Sequence, residues 1–205
     1  MGAWKRIDGM KTQVRVSEKI SYVVAISTLT LISSLYIWFP FFGTRAAPMQ
    51  HFGNVVAGVL LGPAWGVMVP LIVGTLRIAI GVGTFFAYPG GIPGAITVGL
   101  AYRLTRRFRN ARLRYLCAFA EPLGTVFIGG TISILVLATF IPTLFPLSPQ
   151  LLGMVRRGEV FAALALFWSG WAASSIPGSA AAYLVLLVLD RVVPDLMSRI
   201  VGRQE

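Results

Sequence analysis

The sequence predicts an all-α membrane protein with six transmembrane helices, and composition is the first observation behind this fold class. Of the 205 residues, 56% are hydrophobic and only 12% are charged, about half the charged share of an ordinary soluble domain. The mean hydropathy is +0.78, and a soluble domain this apolar could not cover its surface with polar groups. A span with its connection takes roughly 25–35 residues, which leaves room for about six helices and no separate soluble domain.

The second observation is a series of six apolar segments. Residues 20–39 have the length of a typical span and end at Pro40. A loop at 41–48 follows, and the later segments are 49–61, 65–80, 92–104, 115–141 and 160–189. We expect a short turn at Gly62 and Pro63 between the first two of these. The last is too long for one straight span, so we expect Pro177 and Gly178 to kink it or its first turns to lie outside the membrane. The chain then divides into a basic arm (1–19), a transmembrane domain (20–190) and a tail (191–205).

The third observation is where the basic residues fall. The net charge is +11, but a soluble nucleic-acid binder would need a polar surface that this composition lacks. With both termini inside, 14 of the 18 lysines and arginines lie in the arm, in the connection 103–114 and in the tail. The opposite side holds only Arg45, Arg156 and Arg157. This asymmetry is typical of a multi-pass protein of the plasma membrane with cytoplasmic termini.

Rare residue types exclude several kinds of chemistry. The chain has one cysteine, Cys117, and one histidine, His51, which excludes a disulfide framework and the common metal motifs. Lysine occurs only at Lys5, Lys11 and Lys19, and no Gly-Lys pair exists for a phosphate-binding loop. We therefore expect no cofactor and no enzymatic activity, and any ATP hydrolysis must come from a partner.

The predicted topology brings polar and aromatic residues together in the outer half of the bundle. Arg77 is the sharpest signal, because an arginine at the centre of a span costs about 2.5–3.5 kcal/mol on insertion scales. Such a convergence suits a small, partly aromatic ligand. The candidate binding residues are Gln50, His51, Asn54, Arg77, Phe85, Tyr88, Trp168 and Trp171.

Each candidate also has a structural interpretation. Trp168 and Trp171 could be interfacial anchors, and His51 could cap a helix. Asn54 could join two helices by a hydrogen bond. Glu121, two turns into the fifth segment, could belong to a proton path, but we expect it to pair with a nearby basic residue.

Small residues recur at four-residue spacing and predict closely packed helices. They are Gly58, Gly62 and Gly66, and then Gly170, Ser174, Gly178 and Ala182. Packing within this chain is the expected use, and docking to another membrane subunit is the alternative.

A series of short motifs lies within residues 45–105: Pro48 to His51, then 54–63 (NVVAGVLLGP), Leu76-Arg77, 81–84 (GVGT) and 87–90 (AYPG). This combination resembles the ThiW family. The family comprises substrate-binding S components of energy-coupling factor (ECF) transporters. The resemblance implies a six-helix bundle that captures hydroxyethylthiazole, a thiamine precursor, at the outer face. It also implies two kinds of partner, a transmembrane T subunit and two cytoplasmic ATPases.

Three points remain open at this stage. S components often dock through paired alanines on the first span, and here only Ser21 and Ala25 resemble that motif. The ligand could be another vitamin. A stand-alone secondary transporter for a small heterocycle could couple ions through Glu121 and Arg77. An intramembrane hydrolase is disfavoured, because only His51 could serve a serine nucleophile and no Gly-x-Ser-x-Gly motif exists.

Overall fold

The computed structural model describes residues 16–41 and 44–201, and most of them are helical. Eight helices and one short hairpin make up this part of the chain. In chain order they are α1 (Val16–Tyr36), β1 (Phe39–Phe41), β2 (Thr44–Ala46), α2 (Pro48–Gly66), α3 (Met68–Ala79), α4 (Ala87–Thr105), α5 (Ala111–Phe140), α6 (Pro149–Arg156), α7 (Val160–Val192) and α8 (Pro194–Val201).

Helix α1 begins and ends earlier than the predicted 20–39 span. It includes the last polar residues of the predicted arm, where Glu18 in the first turn suits the positive end of the helix dipole. The remaining arm residues, 1–15, and the end of the predicted tail, 202–205, lie outside the described residues. After Tyr36 the chain enters an antiparallel hairpin in which Pro40 pairs with Arg45. The sequence predicted a loop there.

The chain turns sharply between α2 and α3. Gly62 has φ 75° and ψ 177° inside α2, and Pro63 follows it. The axes of α2 and α3 differ by 95°. The predicted turn at Gly62 and Pro63 is therefore confirmed, although helical backbone continues beyond it to Gly66.

Helix α4 lies at the centre of the bundle, where it packs against α2 on one side and α5 on the other. Helix α5 begins at Ala111, where the Asn110 side chain accepts a hydrogen bond from the Arg112 amide at 2.9 Å. Because α4 continues to Thr105 and α5 begins at Ala111, the basic loop is shorter than the predicted 103–114. Within α5, a 3₁₀ segment (Tyr115–Ala120) and π-helical segments (Leu123–Gly129, Ser133–Leu137) replace regular α-helix.

Helix α7 has 33 residues and runs through Pro177 without a break. At 1.5 Å per residue it measures about 50 Å, which exceeds a hydrocarbon core of about 30 Å. Two short helices flank it. Helix α6 precedes it, capped by Ser148, and α8 follows it and buries Met197 and Ile200.

The outside of the bundle is apolar. Large hydrophobic side chains such as Leu29 on α1, Phe127 on α5 and Leu184 on α7 are at least half exposed, as expected for contact with lipid. By length and composition, α1, α5 and α7 can each cross a membrane, and the bent pair α2–α3 is a fourth candidate. The protein is therefore a helical membrane protein.

The small-residue stripes face the interior of the chain. A Cβ at Gly58 would lie 2.8 Å from the Val98 side chain of α4, and one at Gly178 would lie 2.9 Å from the His51 Cβ of α2. Real Cβ atoms do not approach this closely. Packing within this chain is thus confirmed for Gly58 and Gly178, whereas Gly170 and Ser174 line a cavity.

Replacing Gly62 with alanine is expected to destabilise the protein. The backbone conformation of Gly62 is confined almost entirely to glycine, and another residue held there costs about 1–3 kcal/mol. We expect a lower apparent melting temperature for Gly62→Ala, measured on the purified protein in detergent.

Gly153→Ala is the matched control, because Gly153 lies within helix α6 and a new Cβ would meet only the end of the Arg157 side chain. Alanine favours helix over glycine, so this variant should be unchanged or slightly more stable. Equal melting temperatures for the two variants would contradict the role given to Gly62.

Candidate functional site

One cavity of about 370 Å³ opens at the end of the bundle where three connections meet. Its walls come from the hairpin, from the segment between α3 and α4, from the segment before α6, and from α2 and α7. The volume lies within the range of small-molecule sites, about 300–1,000 Å³. The cavity can therefore enclose a ligand the size of a single substituted heterocycle.

Aromatic rings form one wall of the cavity. Phe167 and Trp171 of α7 are tilted against each other with ring centroids 4.7 Å apart. Phe86, just before α4, meets Phe167 edge to face at 5.6 Å. All three line the cavity, and such a set of faces and edges can hold a flat aromatic ring.

The floor of the cavity is polar. Gln50 and His51 come from the first turn of α2, and Ser174 comes from α7. The His51 Nε2 atom lies 3.1 Å from the Ser174 hydroxyl. These groups offer donors and acceptors to a ligand whose ring rests on the aromatic wall.

Beneath this floor lies the carboxylate of Glu121, which is fully buried in α5. Its Oε1 atom is 2.9 Å from His51 Nδ1 and accepts from Asn54 Nδ2 at 2.9 Å. Thr125 donates to the same oxygen at 2.6 Å, and Ser175 donates to the other oxygen. The cluster therefore joins α2, α5 and α7 through one acidic group.

Helix α4 can approach this cluster because Gly94 has no side chain. A Cβ at Gly94 would lie 2.6 Å from Glu121 Oε1. The Thr125 hydroxyl also lies 2.6 Å from the Gly90 carbonyl of α4. The acidic group thus sits where four helices meet.

The hydrogen-bond partners of His51 connect the cavity to the buried acid. The Ser174 hydroxyl carries one hydrogen and is 3.1 Å from both the Trp171 carbonyl and His51 Nε2. His51 therefore lies between the Ser174 hydroxyl and the Glu121 carboxylate, with one ring nitrogen within hydrogen-bond distance of each.

Two arginines from other elements also border the cavity. Arg77 of α3 is only 4% exposed, and its guanidinium donates to the carbonyls of Ser34 and Val82 at 3.4 Å. Arg45 of β2 stacks on the Trp38 ring, with 4.5 Å between the guanidinium carbon and the ring centroid. Both arginines line the cavity.

Four of the eight sequence-predicted residues line the cavity: Gln50, His51, Arg77 and Trp171. Asn54 lies beneath the cavity floor, where its side chain donates a hydrogen bond to Glu121. It joins α2 to α5, as its structural interpretation proposed. Glu121 has the basic partner that the sequence predicted, and that partner is His51.

The other three predicted residues lie outside the cavity lining. Phe85 contacts Tyr88 and Phe145, and the Tyr88 hydroxyl is 3.0 Å from that of Thr75. Trp168 packs on Phe127. Each is one position away from a residue that does line the cavity, namely Phe86, Ala87 or Phe167. One position along a helix rotates a side chain by about 100°, so sequence proximity did not place Tyr88 or Trp168 on the cavity side.

Arg45, Phe86, Phe167 and Ser174 line the cavity without having been predicted as binding residues. A signal for two of them was present in the sequence. Phe167, Trp171 and Ser174 follow one another at spacings of four and three, so they share one face of a helix. Nothing in the sequence indicated that the hairpin would bring Arg45 to the same cavity.

The Glu121 cluster should contribute strongly to stability. Glu121→Ala leaves His51, Asn54, Thr125 and Ser175 without their common acceptor, and breaking a buried pair in this way costs about 3–5 kcal/mol. We expect a large fall in the apparent melting temperature in detergent and a smaller fall for Glu121→Gln, which keeps one acceptor oxygen.

The control is Glu159→Gln, which removes a carboxylate from the fully exposed pair with Arg157. Exposed pairs contribute little, so its melting temperature should match that of the original protein. If Glu121→Ala melted no lower than this control, the cluster would not stabilise the bundle.

Comparison with known proteins supports a transporter. No curated protein sequence matches the chain. The model of the ThiW family, described as thiamine-precursor transporter proteins, matches residues 20–192. The matched region contains most of α1, all of α2 to α7, the cavity and the Glu121 cluster. Because the match covers most of the chain, the protein belongs to the ThiW family of thiamine-precursor transporters.

Proposed function

We propose that this protein is the substrate-capture subunit of an ECF-type vitamin transporter and binds hydroxyethylthiazole from the outside of the plasma membrane. The observation that carries the proposal is the cavity, with its aromatic wall of Phe86, Phe167 and Trp171 and its polar floor of Gln50 and His51. A thiazole ring suits the wall, and the hydroxyl of its side chain suits the floor.

The distribution of charge supports an outward-facing cavity. The other end of the bundle carries Arg114, paired with Asp190 at 3.1 Å, and Lys19, which lies 5.6 Å from the Trp65 ring centroid. The basic connection after α4 lies at that same end. Basic residues favour the cytoplasmic side, so we infer six crossings, by α1 to α5 and α7, with both termini in the cytoplasm.

The partners follow from what the sequence lacks and from one face of α1. Since the chain has no phosphate-binding loop, two ATPase subunits would supply the energy through a T subunit. Ser21, Ala25 and Leu29 lie on the exposed side of α1. Ser21 and Ala25, spaced by four, form a single small-residue step on which another membrane helix could pack, and the larger Leu29 follows on the same face.

Binding of hydroxyethylthiazole tests the proposal directly. The purified protein should bind this ligand in calorimetry or tryptophan-quenching titrations. Trp171→Ala should weaken binding about tenfold, because it removes an aromatic face from the cavity. Trp168→Ala is the matched control, since this indole lies on the same helix but outside the cavity lining, and it should leave the affinity unchanged.

Two results would count against the proposal in different ways. Tight binding of another vitamin, with none of hydroxyethylthiazole, would retain the capture subunit and reject the ligand. Equal weakening by Trp171→Ala and Trp168→Ala would place the ligand outside the cavity.

A second candidate function is a stand-alone secondary transporter. The observation that favours it is the buried Glu121–His51 pair beneath the cavity floor, since a proton bound there would be close to the ligand. Among the described residues the Glu121 carboxylate pairs with His51 and makes no ion pair with Arg77.

Uptake into liposomes separates the two candidates. The capture subunit alone should not accumulate ligand under an imposed proton gradient, whereas a secondary transporter should. If the protein is a secondary transporter, Glu121→Gln should abolish the gradient-driven uptake. Accumulation that requires Glu121 would therefore replace the first proposal with the second.

A further inference from the structure

We propose that the natural ligand carries an acidic group, a carboxylate or a phosphate monoester, and that Arg77 and Arg45 bind it. The inference rests on the capture role given under the proposed function, and it replaces neutral hydroxyethylthiazole as the natural ligand by a heterocycle with an acidic substituent. Neutral hydroxyethylthiazole has no group that would match two arginines in one cavity. A heterocycle with an acidic substituent has such a group.

Arg77 is a buried cation whose hydrogen bonds are incomplete. A guanidinium has five N–H donors, yet its described bonds are two long ones of 3.4 Å to backbone carbonyls. Its Nε atom is buried and has no hydrogen-bond partner in the part of the chain that the structure describes. Burying a charge in this way is costly unless an opposite charge and further hydrogen bonds compensate for it.

Arg45 places a second positive charge at the same cavity. Its contact with Trp38 orients the guanidinium but supplies no negative charge. Two cations beside one cavity repel each other. An anion between them would relieve that repulsion and satisfy free donors.

No protein carboxylate is available to fill this role among residues 16–41 and 44–201. Glu121 is the acidic residue nearest the cavity floor, and its oxygens accept from His51, Asn54, Thr125 and Ser175. Asp190 pairs with Arg114 at the other end of the bundle. Within the described residues the cavity therefore has a net positive charge.

The arrangement of the walls suggests how such a ligand would lie. Arg77 and Arg45 come from α3 and the hairpin, whereas Phe167 and Trp171 come from α7 on another wall. An arginine can meet two oxygens of a carboxylate or phosphate at once. The ring of the ligand would lie on the aromatic wall and its acidic group would point to the arginines.

A comparison of matched ligands tests the inference. Titrate the purified full-length protein with hydroxyethylthiazole, with its phosphate monoester and with a thiazole carboxylate. We expect at least one acidic ligand to bind about tenfold or more tightly than the neutral one, as a charge-assisted bidentate contact would produce. That advantage should shrink at high salt, and the better acidic ligand identifies the group.

Charge-removing variants locate the contact. Arg77→Gln and Arg45→Gln should each reduce the affinity for the acidic ligand and leave that for hydroxyethylthiazole unchanged. Arg156→Gln is the matched control, because this exposed arginine lies on α6 outside the cavity lining. A merely structural role of Arg77 would weaken both ligands alike. Arg45 lies in the exposed part of the hairpin, so its variant tests the inference even if Arg77→Gln does not fold.

The outcomes separate this inference from the proposed function. If the neutral ligand binds as tightly as both acidic ligands, the inference is wrong and the proposed function stands. If none of the three binds, both are wrong. If Arg156→Gln also removed the preference for an acidic ligand, the preference would reflect general surface charge. That result would contradict binding of the acidic group by Arg77 and Arg45.

Discussion

The structure depends on how one carboxylate is kept in the interior of an apolar bundle. Glu121 is fully buried, and a charge without partners there would cost several kcal/mol. The chain compensates with a histidine, an amide and two hydroxyl groups drawn from three helices. Because each partner must lie within hydrogen-bond distance, the acid sets how α2, α5 and α7 pack together. The floor of the cavity is the outer surface of this cluster.

Glycines make that arrangement sterically possible. Gly94 lets α4 approach the Glu121 carboxylate, and Gly178 lets α7 pack on the start of α2 next to His51. Gly62 lets the chain turn by 95° between α2 and α3, and α3 then brings Arg77 to the cavity. Small residues thus have two roles in this protein: they allow close helix packing, and they allow polar groups to converge at one site.

Sequence reasoning was most successful where the signal was local or compositional. The helical membrane class, the turn at Gly62 and the cavity-lining residues Gln50, His51, Arg77 and Trp171 agree with the structure. It was least successful with the direction of side chains, because Phe85, Tyr88 and Trp168 are next to cavity-lining residues in the sequence but lie outside the lining. The direction in which a side chain points depends on which neighbouring elements surround it.

The sequence by itself determined that this is a basic, helical membrane protein of the ThiW family without an ATP-binding loop of its own. Those properties follow from composition, spacing and motif, each of which is a feature of the linear chain. Only the tertiary structure decided that Glu121 pairs with His51, and that Arg45 shares a cavity with Arg77. These pairs lie 70 and 32 positions apart in the sequence, and such contacts depend on how helices are oriented against one another, which no local pattern encodes.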